Sequence, residues 1–364
     1  MASYLRKVVV CLRVLYRDTV LYVNDPMVNQ EQHKQQNKMP ESPTEDKKEQ
    51  STKYACEDDQ LSDQNEVLNW EEVEIDIGWG TMRGKAIGNG PHHVLGLHGW
   101  LDNANTFDLV AGVLPESVRF VSLDLPGHGL SDHFPTGFVY DPRGYMASVK
   151  RAVIGLGWKQ FTFLGHSMGA VVAIMYTAVF PEDVHALISI DVIKTWSYPP
   201  EKQASQMRKY FYQYFDNEKM CTQNPLVYTE EELIKKTIEG SKSLDERGAK
   251  IMLKRGAKPS EDGKGLILSR DLRCKTYFIG FIGLDVWIEA AKAITCPFLI
   301  IKANEGHHYE TEEGYKVMLE AFKKDCKHFI YHEIAGKHHI HLTHPTTVRK
   351  YLIDFLKERT DIGN

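Results

Sequence analysis

The spacing of hydrophobic positions changes near residue 70, and the elements it predicts change with it. Glu72–Ile77 alternates acidic with apolar residues, as a half-exposed strand does, and Thr81–Ile87 follows after Gly-Trp-Gly, so the pair reads as an early hairpin. Short β-branched runs then recur, each closed by a loop: His93–Leu97, Arg119–Leu123, Gln160–Leu164, Ala186–Ile190, Phe298–Ile301 and His328–Glu333. Helix-like segments separate most of them, at Asn105–Leu114, Pro142–Gly155, Gly169–Phe180, Glu312–Lys324 and Pro345–Glu358. This alternation specifies an α/β fold, a mostly parallel sheet with helices on both faces. It breaks over Val192 to Ala291, a Lys/Glu-rich stretch without a clear strand that reads as helices Pro200–Tyr214, Thr229–Gly240, Leu244–Leu253 and Leu284–Lys292. A helical insertion between two halves of a parallel sheet predicts a cap over the carboxyl edge, where open α/β sheets bind ligands. The expected organisation is therefore 70–191 and 292–364 as one core, with 192–291 as its cap.

Residues 1–69 stand apart. Between Asn29 and Glu66 the only apolar residues are Met39, Tyr54, Ala55, Cys56 and Leu61, while ten acidic residues oppose five lysines. Such a stretch buries too little surface to offset its ordering entropy and is expected to be a disordered tether. In the first 23 residues, Arg6, Arg13 and Arg17 fall within about 40° of one another on a helical wheel. That basic helix admits two readings, a mitochondrial targeting segment or a frayed or membrane-touching terminus.

Composition narrows the class. With 364 residues, 42% of them hydrophobic, the chain is too apolar to be disordered throughout. A net charge of −5 gives no footprint for nucleic acid. The 6 cysteines are scattered without a Cys-x-x-Cys pair, which predicts neither disulfides nor a zinc site and fits a reducing, cytoplasmic setting, with mitochondria as the alternative. No run of about 18 apolar residues is present to span a membrane.

Gly165-His166-Ser167-Met168-Gly169 has the form Gly-x-Ser-x-Gly. By itself the pattern arises often by chance; between a predicted strand and a predicted helix it marks a nucleophile elbow, whose sharp turn needs glycines for close approach. A serine needs a base to take its proton. After the last predicted strand, His338, His339, His341 and His344 offer four candidates. The base needs a carboxylate to orient it, and two follow strands in suitable order, Asp191 and Glu305; order alone leaves both open. Asp124 precedes the serine and is expected to brace its own turn. Two backbone N–H groups should hold an oxyanion, those of Met168 and, in the loop His98-Gly99-Trp100, of Trp100. The histidine cluster raises metal binding, but no matching Asp, Glu or Cys spacing accompanies it, so no metal or cofactor is expected.

Together these segments resemble the α/β-hydrolase superfamily over about Trp70 to Lys357. HGWLDNANTFD (98–108), DLPGHGLSDH (124–133), LGHSMG (164–169) and LILSRDLR (266–273) are similar to the serine hydrolase-like proteins, the last most specifically because caps vary between subfamilies. The resemblance implies that His338, seven residues before Pro345, is the base and that Asp191 rather than Glu305 is the acid. It also implies ester or related acyl hydrolysis, with a catalytically inactive, ligand-binding member of the fold as the alternative. Dehalogenases and epoxide hydrolases of this fold use an Asp nucleophile, against which Ser167 argues. Tyr198, Tyr210, Phe211, Tyr212, Tyr214, Phe215 and Tyr228 suit a small apolar acyl or aromatic substrate, although aromatics at helical spacing more often simply pack a cap on its core.

Overall fold

The computed structural model describes residues 68–277 and 280–360; the predicted basic helix and polar tether lie outside them. Ten strands are described: β1 (Glu71–Asp76), β2 (Thr81–Ile87), β3 (His92–Leu97), β4 (Val118–Leu123), β5 (Phe161–His166), β6 (Val184–Ile190), β7 (Ala257–Pro259), β8 (Leu266–Leu268), β9 (Phe298–Glu305) and β10 (Phe329–Lys337). Eight form one sheet in the order β1-β2-β4-β3-β5-β6-β9-β10. The β1–β2 hairpin is antiparallel, β2 pairs antiparallel with β4, and every later neighbour is parallel. From β3 the chain steps outward to β4 and returns on the other side to β5. The order therefore reverses beside β3, and the carboxyl ends of β3 and β5 are the switch point at which open α/β sheets place their ligand crevice.

The helices are α1 (Asp108–Ala111), α2 (Pro142–Leu156), α3 (Met168–Val179), α4 (Pro200–Met220), α5 (Glu230–Ser241), α6 (Glu246–Gly256), α7 (Leu284–Lys292), α8 (Glu312–Asp325), α9 (Ile340–Thr343) and α10 (Pro345–Thr360). Their local logic is visible in α2. Asp141 caps its start by accepting from the Gly144 N–H, Pro142 occupies the first turn, and Gly157 ends it at φ 69°. Side chains alternate across the sheet. Leu95, Val121, Phe163 and Leu187 pack with residues of α2, α3, α7 and α8 on one face; Val94, Phe120, Leu164 and Ile188 pack with Val110, Val348, Leu352 and Phe355 on the other.

Two expectations need correction. Asn105–Leu114 is not one helix: a 3₁₀ turn, Ala104–Phe107, capped by the Asn103 side chain on the Asn105 N–H, precedes the single turn α1. The insertion is also not all helix. β7 and β8 pair in a short hairpin with Gly263 at φ 67° in its turn, and strands of 3 residues are too short to show a period.

The insertion is fastened to the core through the end of α6. The Asn103 and Asn105 amides donate to the Met252 and Ile251 carbonyls, each a second bond on a carbonyl oxygen with two lone pairs. Arg255 donates to Asp124 at 2.5 Å and to Glu72 at 2.8 and 3.0 Å. Asp124 is buried and also accepts from the Ala104 and Leu130 N–H groups, so it braces the turn after β4. Replacing Arg255 by Met would strand that carboxylate. We expect a loss of about 3–5 kcal/mol, read from urea unfolding.

Candidate active site

Ser167 sits in the turn between β5 and α3 at φ 50° and ψ −116°. An L-residue is strained there, and the surrounding packing holds it. The glycines are needed for that packing. A Cβ on Gly169 would lie 2.0 Å from the Leu97 carbonyl oxygen, and one on Gly165 would lie 2.5 Å from the Ala170 Cα. The turn therefore presses the start of α3 against the end of β3 and projects Ser167 at the crevice.

His338 follows β10. Its Nε2 is 2.8 Å from Ser167 Oγ, and its Nδ1 is 2.5 Å from Asp191 Oδ2. Asp191, at the end of β6, also has a left-handed backbone, with φ 65°. Its carboxylate is fully buried and held on every side: Oδ1 accepts from the Ala303 N–H at 2.9 Å and from the Lys302 ammonium at 2.5 Å, and Oδ2 from the His307 N–H at 3.3 Å. Gly306 lets the chain wrap so closely, since a Cβ there would lie 2.2 Å from both carboxylate oxygens. Glu305 ends β9 exposed to solvent and touches none of these groups. Of the two acids left open by strand order, Asp191 is the one brought to His338.

The loop after β3 is fixed by histidines whose tautomers follow from their partners. His98 donates from Nδ1 to the Gly99 carbonyl and accepts at Nε2 from the Leu125 N–H. His128 donates from Nδ1 to the Pro126 carbonyl and accepts from the Leu101 N–H. The Trp100 indole donates to the Cys274 carbonyl in the insertion. The Trp100 backbone N–H makes no hydrogen bond among the described residues. Met168 is the first residue of α3, so its N–H has no carbonyl a turn earlier within the helix.

These elements match known proteins as a set. A profile of the alpha/beta hydrolase fold matches residues 92–345. The chain belongs to the alpha/beta hydrolase family. A probable serine hydrolase of Drosophila melanogaster is 31% identical, over 80% of this chain and 88% of its own. A serine hydrolase-like protein of Danio rerio is 33% identical, over 79% and 89% respectively. Among solved structures, a hypothetical protein of Pseudomonas aeruginosa superposes with a TM-score of 0.69 at 26% identity, over 79% of this chain and 99% of that one.

In this alpha/beta hydrolase, electrostatics keep His338 neutral. Burial pushes its pKa down to about 3; the Asp191 hydrogen bond and charge oppose that shift, while His166 and His339 add to it. Burial raises the pKa of Asp191, but His338 and Lys302 outweigh it and hold the carboxyl below its ordinary range. Tyr309, close to Ser167, is pushed up by burial and stays a phenol. Lys302, Gly306 and Tyr309 were not singled out from sequence. Lys302 alone left a signal, a charge within the apolar run Phe298–Ala303 of a strand that reads as buried. The other histidines divide their work: His341 pairs with Thr106, His344 with Thr343, and His339 with Ser243 and Asp102. Of the insertion's aromatics, Tyr214 is buried, with its hydroxyl on the Phe138 carbonyl, whereas Tyr212 and Phe215 face solvent. No helix among the described residues is long and apolar enough to cross a membrane.

Proposed function

We propose that the protein is a serine hydrolase that cleaves an ester or related acyl bond through an acyl-enzyme intermediate. The observation that carries this reading is the continuous contact Ser167–His338–Asp191, at 2.8 and 2.5 Å, beginning at a strained turn. Ser167 Oγ attacks the acyl carbon as His338 Nε2 takes its proton. Asp191 holds the imidazole in the tautomer with hydrogen on Nδ1 and stabilises the imidazolium that forms. The Trp100 and Met168 N–H groups, without other partners among the described residues, hold the negative oxygen of the tetrahedral intermediate. His338 then protonates the leaving group, and water reverses the sequence on the acyl-enzyme. The insertion serves as a cap. Its Ser243 lies on His339, its Cys274 on Trp100, and its α6 on Asn103 and Asn105, all beside the carboxyl edge. A small apolar acyl compound is the substrate class we assign.

A fluorophosphonate tests the reading directly. The full chain should be labelled stoichiometrically, and Ser167→Ala should not. A folded chain that resisted the reagent would point instead to a ligand-binding member of the fold.

The depressed pKa of His338 sets the acid limb. A lowered histidine pKa leaves the imidazole neutral where an ordinary histidine, near 6.5, is half protonated. Activity is lost only as pH falls through the lowered value. For p-nitrophenyl ester hydrolysis, kcat/KM should stay flat through pH 6.5 and decline well below it. Lys302→Met removes the ammonium that shares Asp191, so the carboxylate acts more fully on His338. The imidazolium is stabilised and the limb should move to higher pH. A limb already at 6.5 in the unchanged protein would contradict the buried, neutral base.

A further inference from the structure

We propose that Asp102, His166 and His339 form a binding site for a divalent transition-metal ion of the zinc class, and that its occupancy inhibits the hydrolase; the inhibition, though not the site, rests on the serine hydrolase reading above. The three come from separate segments, the loop after β3, the end of β5 and the chain after β10. Asp102 Oδ2 lies 3.4 Å from His166 Nδ1 and 3.2 Å from His339 Nε2. One ligand atom from each residue lies within 4.8 Å of the others, and all three residues are buried. Zinc bonds of about 2.0–2.2 Å at tetrahedral angles set ligand atoms about 3.3–3.6 Å apart, close to the two measured separations.

The protons favour a cation. His166 Nε2 is 3.1 Å from the His338 carbonyl, which can only accept, so Nε2 carries the hydrogen. His166 Nδ1 makes no well-aligned hydrogen bond among the described residues, with Asp102 Oδ2 at 3.4 Å. The tautomer with its hydrogen on Nε2 presents the Nδ1 lone pair on the side of the Asp102 carboxylate. His339 lies on the other side of the carboxylate: its Nδ1 is 2.6 Å from the Ser243 hydroxyl, and its Nε2 is 3.3 and 3.2 Å from the two Asp102 oxygens, to which it donates while no ion is bound. Two imidazole nitrogens and one carboxylate therefore converge, and a dication bound among them would displace to solvent the hydrogen that His339 Nε2 shares with Asp102. The outer nitrogen of each ring, His166 Nε2 and His339 Nδ1, lies on an oxygen, where the second nitrogen of a metal-bound histidine finds its partner.

Room is left for the ion. Gly99 backs the site, and a Cβ there would lie 2.7 Å from Asp102 Oδ2 and 2.8 Å from His166 Nδ1. The competing cations are a proton on either ring and the guanidinium of Arg270, which acts on Asp102 through space. The His166 ring is 4.7 Å from that of His338. A dication on His166 would oppose the imidazolium that His338 must become, so bound zinc should lower kcat.

Titration of the full chain with Zn²⁺, followed by calorimetry, and with Co²⁺, followed by visible absorption, tests the site without using activity. One ion should bind per chain, with the intense d–d bands of tetrahedral cobalt. His339→Gln should abolish those bands, and Ser243→Ala should weaken binding by about 10–100-fold. Thermal midpoints establish that both variants are folded. In p-nitrophenyl ester hydrolysis, Zn²⁺ should inhibit and EDTA should restore the rate. His339→Gln should lose this sensitivity, read as the ratio of its rates with and without Zn²⁺. Equal binding by the unchanged protein and folded His339→Gln, or binding by neither, overturns the site whatever the esterase result. Site-specific binding without ester hydrolysis would support the site while removing the hydrolase reading and the inhibition with it. Binding to an active enzyme whose rate is unchanged would overturn the inhibition alone.

Discussion

Asp191→Asn is expected to lower kcat by about 10⁴-fold, while Glu305→Gln changes it little. The asymmetry follows from what each carboxylate touches. Asp191 accepts from His338 Nδ1 at 2.5 Å, whereas Glu305 is in solvent beyond the buried part of β9. An asparagine can present its NH₂ group to Nδ1, which then becomes an acceptor and leaves the hydrogen on Nε2. The ring would face Ser167 with a donor where a base is required. Asp191 also balances the Lys302 ammonium, buried and 2.5 Å from Oδ1, so the single variant strands a charge. Asp191→Asn/Lys302→Met removes that complication. It should be more stable than Asp191→Asn and just as slow. Recovery of kcat in the double variant would show that the loss came from the unpaired lysine and not from the tautomer. A larger effect at Glu305 would move the acid to the end of β9.

The parts of this site that are local in the chain are legible in sequence, and the parts made by convergence are not. Gly165 and Gly169 flank Ser167 at a spacing set by one turn, so strand, serine and helix can be read from a dozen residues. The alternating runs of β3 to β6 are likewise local, because burial of both sheet faces demands short, continuous apolar segments. The choice between Asp191 and Glu305 is different in kind. Both end strands, and which one meets His338 depends on how the chain after β10 folds back, information spread over more than a hundred residues. Family resemblance carried that choice. The wrapping of Asp191 by Ala303, Gly306 and His307 leaves no periodic trace. Neither does the meeting of Asp102, His166 and His339. Backbone geometry also hid the β7–β8 hairpin and the break before α1, where a side-chain cap and two short strands override a helical reading.

Ser167→Ala, His338→Ala and the double variant are each expected to lose about 10⁶-fold in kcat, with the double no worse than either single. Nucleophile and base act as one unit. Once Oγ is gone the base has no proton to take, and once Nε2 is gone Oγ stays a weak nucleophile. His339 supplies the contrast, because it follows His338 directly yet turns away. Its Nδ1 goes to Ser243 and its Nε2 to Asp102, while His338 spans Ser167 and Asp191. The two rings stand at 83° to one another, so adjacent residues in the chain serve different sites. His338→Ala should therefore abolish the burst of p-nitrophenol that reports acylation, and His339→Gln should preserve it. If His339→Gln removed the burst and His338→Ala retained it, the base would be misassigned. If the single losses multiplied in the double variant, Ser167 and His338 would be acting independently, and the shared proton transfer on which the acyl-enzyme mechanism depends would have to be abandoned.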